Sequence, residues 1–295
     1  MRHFILGTDL WTDVYDAVAL RMLARAHKAG EICLQGIVIN ACMEDSAASV
    51  DGFLNTEGME GIPLGIDAEA TDFGRNPPYQ KNLALYCKRY SRNEEAEDAV
   101  RLYRRLLAES DEEIELIEIG YLQALANLLE SEGDDLSPLS GVELVRRIVK
   151  KIWIMAGKWD ENPGMENNFN RNARASRGGH IVCRKCPVPI TFLGWEIGAN
   201  VLTGGELEKN DILYHALCDH GSENGRSSWD PMLCLMAMIG DEEKAGYDLV
   251  RGTASVEEST GENRFAAAKD GLHGYVIKKF ADEWYQKEIN GRIRS

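Results

Sequence analysis

Short apolar runs alternate with longer stretches of helical period along most of this chain. Residues 4–7, 34–39, 62–66, 114–119, 152–156 and 188–193 are runs of strand length. Between them, segments 14–29, 45–56, 96–107, 122–130, 142–150 and 172–182 carry the periodicity of helices. Strands apolar on both faces and separated by helices belong to a mostly parallel sheet covered on both sides. Further helices are predicted at 206–220 and 231–238, then short strands near 245–252 and 273–277 and a last helix over 278–289. Residues 71–90, rich in Pro, Asn and Tyr without clear period, predict a long loop over the sheet. The expected fold is α/β, an open and mostly parallel sheet flanked by helices, in a single domain over 1–295. Ligands of such sheets sit beyond the carboxyl ends of the strands, so chemistry is sought there.

Composition narrows the partners. The chain has 295 residues, 44% of them hydrophobic and 27% charged, as in ordinary globular proteins. Its formal net charge is -15, from 48 acidic and 33 basic residues. Such a surface repels polyanions and argues against nucleic acid and anionic membranes in favour of a small molecule. The basic clusters Arg146, Arg147, Lys150, Lys151 and Arg184, Lys185 read as solvated helix ends. No apolar run reaches the roughly 18 residues of a membrane span. The first apolar stretch is too short for a signal peptide, and seven cysteines without an export signal predict reduced thiols in a cytoplasm. Cys183 and Cys186 form a lone CxxC without the second ligand pair that zinc requires.

The polar residues of interest stand where strands end. The first strand runs into Gly7-Thr8-Asp9-Leu10-Trp11-Thr12-Asp13-Val14-Tyr15-Asp16, a concentration of carboxylates before an apolar helix. Helix capping and the helix dipole account for one or two of them, but not for Asp9 directly at the strand exit. The second strand ends in Asn40, and the fourth leads to Gly120-Tyr121-Leu122-Gln123. The fifth leads to Glu166-Asn167-Asn168-Phe169-Asn170, residue types that bind sugar hydroxyls but also make simple turns. Late in the chain, Trp229-Asp230-Pro231 precedes an apolar helix.

Taken together and in this order, the spaced Asp motif, the Ile-Gly-x-Leu-x-x-Leu-Ala-Asn stretch, Glu-Asn-Asn-Phe-Asn and Trp-Asp-Pro resemble the inosine–uridine preferring nucleoside hydrolases. The resemblance runs from about Phe4 to Met238. It implies a calcium ion held by Asp9, Asp16, Asp230 and the backbone carbonyl of Gln123, with Asp9 as the general base on a water held by the ion. It also implies ribose binding by Asn40, Asp160, Glu166 and Asn168, and a homodimer or homotetramer. Calcium prefers six to eight hard oxygen ligands, which suits carboxylates, a carbonyl and a substrate diol. The implied reaction is hydrolysis of the N-glycosidic bond of a nucleoside or related riboside, through an oxocarbenium-like transition state.

The chain departs from the family at four places. Tyr15 replaces the first of two adjacent aspartates, and Gly7 replaces an Asp. Trp11 stands where Gly is common. Trp229 stands where some members carry a His that protonates the leaving base, so Trp229 is expected to pack against an aromatic base or close the pocket. Of the six histidines, His220 lies nearest in sequence to that position. Two other readings follow: a riboside-binding protein of the same fold with impaired turnover, and an unrelated metal-dependent phosphate esterase, disfavoured by the missing phosphate cradle.

Overall fold

The apolar runs are drawn into one sheet. The computed structural model describes residues 1–11 and 13–294. The chain runs through β1 (Arg2–Thr8), α1 (Tyr15–Lys28), β2 (Ile32–Ile39), α2 (Ser46–Thr56), β3 (Leu64–Ile66) and α3 (Pro78–Ala84). It continues through β4 (Glu97–Asp98), α4 (Ala99–Glu109), β5 (Ile114–Glu118), α5 (Gln123–Glu130), α6 (Gly141–Ile148) and β6 (Val149–Met155). Next come α7 (Asn167–Asn170), α8 (Ala173–Lys185), β7 (Ile190–Leu193), α9 (Trp195–Gly198) and β8 (Leu202–Thr203). They are followed by α10 (Ile212–His220), β9 (Arg226–Ser227) and α11 (Trp229–Ile239). The chain closes with β10 (Tyr247–Val256), β11 (Asn263–Ala267), β12 (His273–Lys278) and α12 (Asp282–Ile293).

Ten strands form the main sheet in the order β11-β10-β12-β7-β6-β5-β1-β2-β3-β4. From β12 to β4 all neighbours are parallel, and β10 and β11 extend the other edge in antiparallel pairs. The chain steps outward from β1 through β2, β3 and β4, then returns to add β5, β6 and β7 on the opposite side of β1. The strand order therefore reverses between β1 and β5, and the crevice for a ligand opens where these two strands end. The expectation of an open, mostly parallel sheet with helices on both faces is met.

Side-chain alternation explains why the strands read as unbroken apolar runs. Along β1, Phe4 and Leu6 join the core beneath α1, α2, α11 and α12, with Val18, Ile37, Phe53 and Leu235. Ile5 points the other way, to the core beneath α4, α5, α6 and α8, with Val38, Leu102, Leu116 and Val182. A period of two over a sheet with both faces covered leaves no polar face.

The structure corrects several details of the pattern. The predicted loop 71–90 contains α3, which starts with Pro78 at its first position, where the missing N–H costs nothing. The helix expected over 206–220 begins only at Ile212, where the Asp211 carboxylate accepts from the Leu213 N–H at 2.8 Å. The short edge strands β4 and β11 left no alternation to read. Lys150 and Lys151 belong to β6 rather than to a helix end, and Lys151 is a part-buried partner of Glu242. Among the described residues no helix is long and apolar enough to cross a membrane. All seven cysteines are free, and burial pushes the Cys186 thiol up to about 12.

Candidate active site

The loop from β1 to α1 is the centre of the site, and its backbone is held in an unfavourable shape. Leu10 has φ +36, a left-handed conformation that costs a residue with a side chain roughly 1–2 kcal/mol. Several groups enforce it. The Leu10 N–H lies 3.2 Å from Thr8 Oγ1 and 3.3 Å from Asp16 Oδ1, and its carbonyl accepts from the Gln80 amide. The Tyr79 hydroxyl sits 2.7 Å from the Trp11 carbonyl and 2.9 Å from that of Asp13. Two residues of α3, both fully buried, thus clamp the loop that carries Asp9.

Three predicted carboxylates are buried around this loop. Asp9 follows the last residue of β1, Asp16 lies in the first turn of α1 and Asp230 in the first turn of α11. They are 3%, 1% and 0% exposed. Helix N-termini favour negative charge, which offsets part of the cost of placing Asp16 and Asp230 there. Burial, and then the charge of Asp16, holds Asp9 well above the usual carboxylate range. Burial pushes Asp16 up to about 7, against the hydrogen bond donated by Thr8. Asp230 is raised by burial and then by Asp16, Asp9 and Asp13, so each carboxylate feels the others.

The donor set matches a hard cation in its chemistry. Asp16 Oδ2, both oxygens of Asp230 and Gln123 Oε1 are buried with no hydrogen-bond partner. Orphaned acceptors of this kind are rare in folded proteins, and a group of oxygens suits calcium or magnesium. Their spacing is less complete than their chemistry. Among the described residues, no group of three or more His, Cys, Asp or Glu side chains stands as a ready ligand cluster.

The neighbouring strands supply the floor. Asn40, at the end of β2, accepts from the Tyr121 N–H at 3.0 Å through Oδ1 and leaves Nδ2 as a buried donor without a partner. A Cβ on Gly120 would stand 2.5 Å from Asn40 Oδ1 and 2.6 Å from the Asp9 nitrogen, so only glycine lets β5 approach Asp9 this closely. Gln123 turns its side chain inward, with Nε2 donating to the Asn40 carbonyl and, at 3.2 Å, to Asp67. The Gln123 side-chain oxygen is left as a buried acceptor without a partner.

The remaining predicted residues divide. Glu166 is buried and caps α7, accepting from the Asn168 N–H at 3.0 Å and from the Gly157 N–H at 2.9 Å. Burial pushes it up to about 7. Asn168 donates to the Met155 carbonyl at 2.9 Å, which ties α7 to the end of β6. Asp160 lies outside the buried group: it is exposed and pairs with Lys158 at 2.8 Å. Trp229 is 8% exposed, packs edge-on against Tyr15 at 5.3 Å and stacks at 6.2 Å on Trp195, which is 45% exposed. An aromatic wall therefore leads from solvent to the carboxylates.

Sequence reasoning missed Tyr79, Gln80, Trp195 and the grip of Arg226 on Asp13, at 2.9 and 3.1 Å from Nε. Gly120 lay in a stretch the sequence did single out, two residues past the end of β5. The others depend on which distant segments meet.

A comparison with protein-family models finds no match, and a comparison with curated proteins finds none either. Solved structures do match over nearly the whole chain. An inosine-uridine preferring nucleoside hydrolase from Bacillus anthracis aligns with a TM-score of 0.68 at 15% identity, over 99% of each chain. A purine-preferring ribonucleoside hydrolase from Gardnerella vaginalis aligns with 0.69 at 13% identity, over 99% of this chain and 98% of that one. The type III effector protein XopQ, complexed with adenosine diphosphate ribose, aligns with 0.67 at 14% identity, over 99% and 93%. At such identities the likeness is one of fold: this chain has the fold of the nucleoside hydrolases.

Proposed function

We propose that this protein hydrolyses the N-glycosidic bond of a nucleoside or related riboside, with calcium at the carboxylate cluster. The observation that carries the reading is the pair of buried carboxylates Asp16 and Asp230, with oxygens left without partners and close enough to Asp9 to raise its pKa or be raised by it, at the point where the strand order reverses. The sheet shared with nucleoside hydrolases of known structure supports it.

Asp9, Asp16, Asp230 and the Gln123 oxygen would hold the ion. When bound, calcium makes a water more acidic and grips vicinal sugar hydroxyls. Asp9 takes the proton of the attacking water, and its backbone is fixed for that task by the clamped loop. Asn40 Nδ2, a buried donor without a partner, offers itself to a ribose hydroxyl. Glu166 and Asn168 hold the rim of the sugar site through α7. Trp229, with Tyr15 and Trp195, supplies an apolar surface for an aromatic leaving group and keeps water from it.

Tyr15 also motivates a second reading, binding without turnover, because it brings a phenol rather than a carboxylate to the edge of the cluster. One experiment separates the two. The protein is incubated with purine and pyrimidine nucleosides, reducing sugar is assayed with and without a calcium chelator, and a thermal shift with ribose is recorded. Chelator-sensitive release of sugar is expected. Stabilisation by ribose with no release across the panel would favour binding alone, and neither effect would refute both.

A further inference from the structure

A loop that carries a binding side chain keeps one shape only where its backbone groups are tied to a rigid element. We propose that Asn263, the first residue of β11, is a positioning residue that sets Glu166 in place; the inference rests on the sugar site of the reading above.

Glu166 closes a loop that leaves the sheet after β6. At the base of this loop the Gly157 N–H donates to Glu166 Oε2 at 2.9 Å. Glu166 stands near enough to the carboxylate cluster for its charge to act on Asp230. The segment between Gly157 and Glu166 is neither helix nor strand, so its own hydrogen bonds cannot fix it.

Asn263 supplies what the loop lacks. It is fully buried and lies 105 positions along the chain from Lys158. Its Oδ1 accepts from the Lys158 N–H at 3.1 Å, and its Nδ2 donates to the Lys158 carbonyl at 2.9 Å. Its backbone exchanges two further bonds with Gly164, at 2.8 and 2.9 Å. One residue thus grips both limbs of the loop. A carboxamide is needed for the first pair, because it offers an acceptor and a donor together. A Cβ on Gly164 would stand 1.9 Å from the Lys158 carbonyl oxygen, so the limbs close this tightly only around glycine.

The same hairpin also touches the chain beyond Glu166. Gly261, between β10 and β11, has φ +75, and a Cβ there would stand 2.2 Å from the Phe169 carbonyl oxygen. Asn263 therefore holds the residues before Glu166, and Gly261 packs on those after it. The antiparallel edge of the sheet acts as a template for the segment that carries Glu166 and Asn168.

The test is a double-mutant cycle of Asn263→Ala and Glu166→Gln. KM and kcat are measured with inosine, uridine and 4-nitrophenyl β-D-ribofuranoside, and Kd for ribose by calorimetry. Asn263→Ala is expected to raise KM and the ribose Kd by about 10–100-fold with a smaller change in kcat, since misplacing a binding group by about 1 Å costs up to about 100-fold. The double variant is expected to stay within about threefold of Glu166→Gln, because a group already removed cannot be misplaced. Losses that multiply show that Asn263 acts apart from Glu166. A lowered Tm with KM and Kd within about twofold of native assigns it to stability alone. Each result overturns the proposal. If the native protein binds ribose but cleaves none of the three compounds, the hydrolytic reading fails and the Kd cycle alone decides the role of Asn263. If it neither binds nor cleaves, both fail. Should Asn263→Ala fold poorly, Asn263→Asp keeps the acceptor for the Lys158 N–H, removes the donor and enters the same cycle with the same outcomes.

Discussion

Replacing Asp230 by Asn gives effects of opposite sign with and without calcium. Asp230 is fully buried, and neither of its oxygens has a hydrogen-bond partner. Such a carboxylate either keeps its charge at a cost of several kcal/mol or takes up a proton. The nearly isosteric amide removes the charge, and with it the repulsion from Asp16 and Asp9. Without calcium the variant is expected to be more stable than the native chain by about 1–3 kcal/mol. At about 2–4 °C per kcal/mol for a chain of this order of size, Tm rises by roughly 2–12 °C. With calcium at about 100 times its Kd, the native chain gains about 2.7 kcal/mol, or roughly 5–10 °C. On the proposed ligand set, the variant lacks one ligand and gains little. Calorimetry in chelator and in calcium is therefore expected to show the native chain closing the gap to the variant as the ion is added, and overtaking it where the initial gap is under about 2.7 kcal/mol. A variant that retains the whole calcium shift, or that is the less stable one in chelator, would refute the assignment of Asp230.

Two further predictions concern β5. Glu118 lies over the open face of Gly7 and accepts from the Tyr103 hydroxyl at 2.6 Å, and burial pushes it from 4.5 up to about 8. Below pH 4.5 it is protonated folded or unfolded; between 4.5 and about 8 only the folded state keeps the proton, so stability falls as pH rises. The whole cost, on the order of 5 kcal/mol at about 1.4 kcal/mol per unit, is in place above about pH 8. Glu118→Gln is expected to flatten that slope in urea unfolding between about pH 5 and pH 9, and parallel curves for the two proteins would contradict the cause assigned. Gly120→Ala puts a Cβ 2.5 Å from Asn40 Oδ1 and 2.6 Å from the Asp9 nitrogen. Turnover is expected to drop by about 100-fold with the circular dichroism spectrum kept, and a loss under about twofold would show that this spacing does not matter.

Much of the fold was legible because its determinants are local. A strand covered on both faces must be apolar at every position, as Phe4, Ile5 and Leu6 are, and an amphipathic helix must repeat near every fourth residue. Asp9 and Asp16 stood out for the same reason, since Asp9 follows directly on an apolar strand and Asp16 opens an apolar helix, whereas Asp230 was singled out only by the resemblance. Asp160 shows the limit. The resemblance and its spacing from Glu166 made it a candidate sugar ligand, and only the structure shows it exposed and paired with Lys158.

What the linear order determined by itself was the alternation of elements, the location of polar groups at strand ends and the acidic character of the surface. What only tertiary structure decided was which strand ends meet. The reversal between β1 and β5 brings Gly120 against Asp9, α3 folds back to clamp Leu10, Trp11 and Asp13, and α10 delivers His220 to Asp13 across more than two hundred positions. Periodicity records whether a side chain faces core or solvent. It carries no record of partners chosen over such separations, where close packing and the pairing of buried polar groups select the contacts.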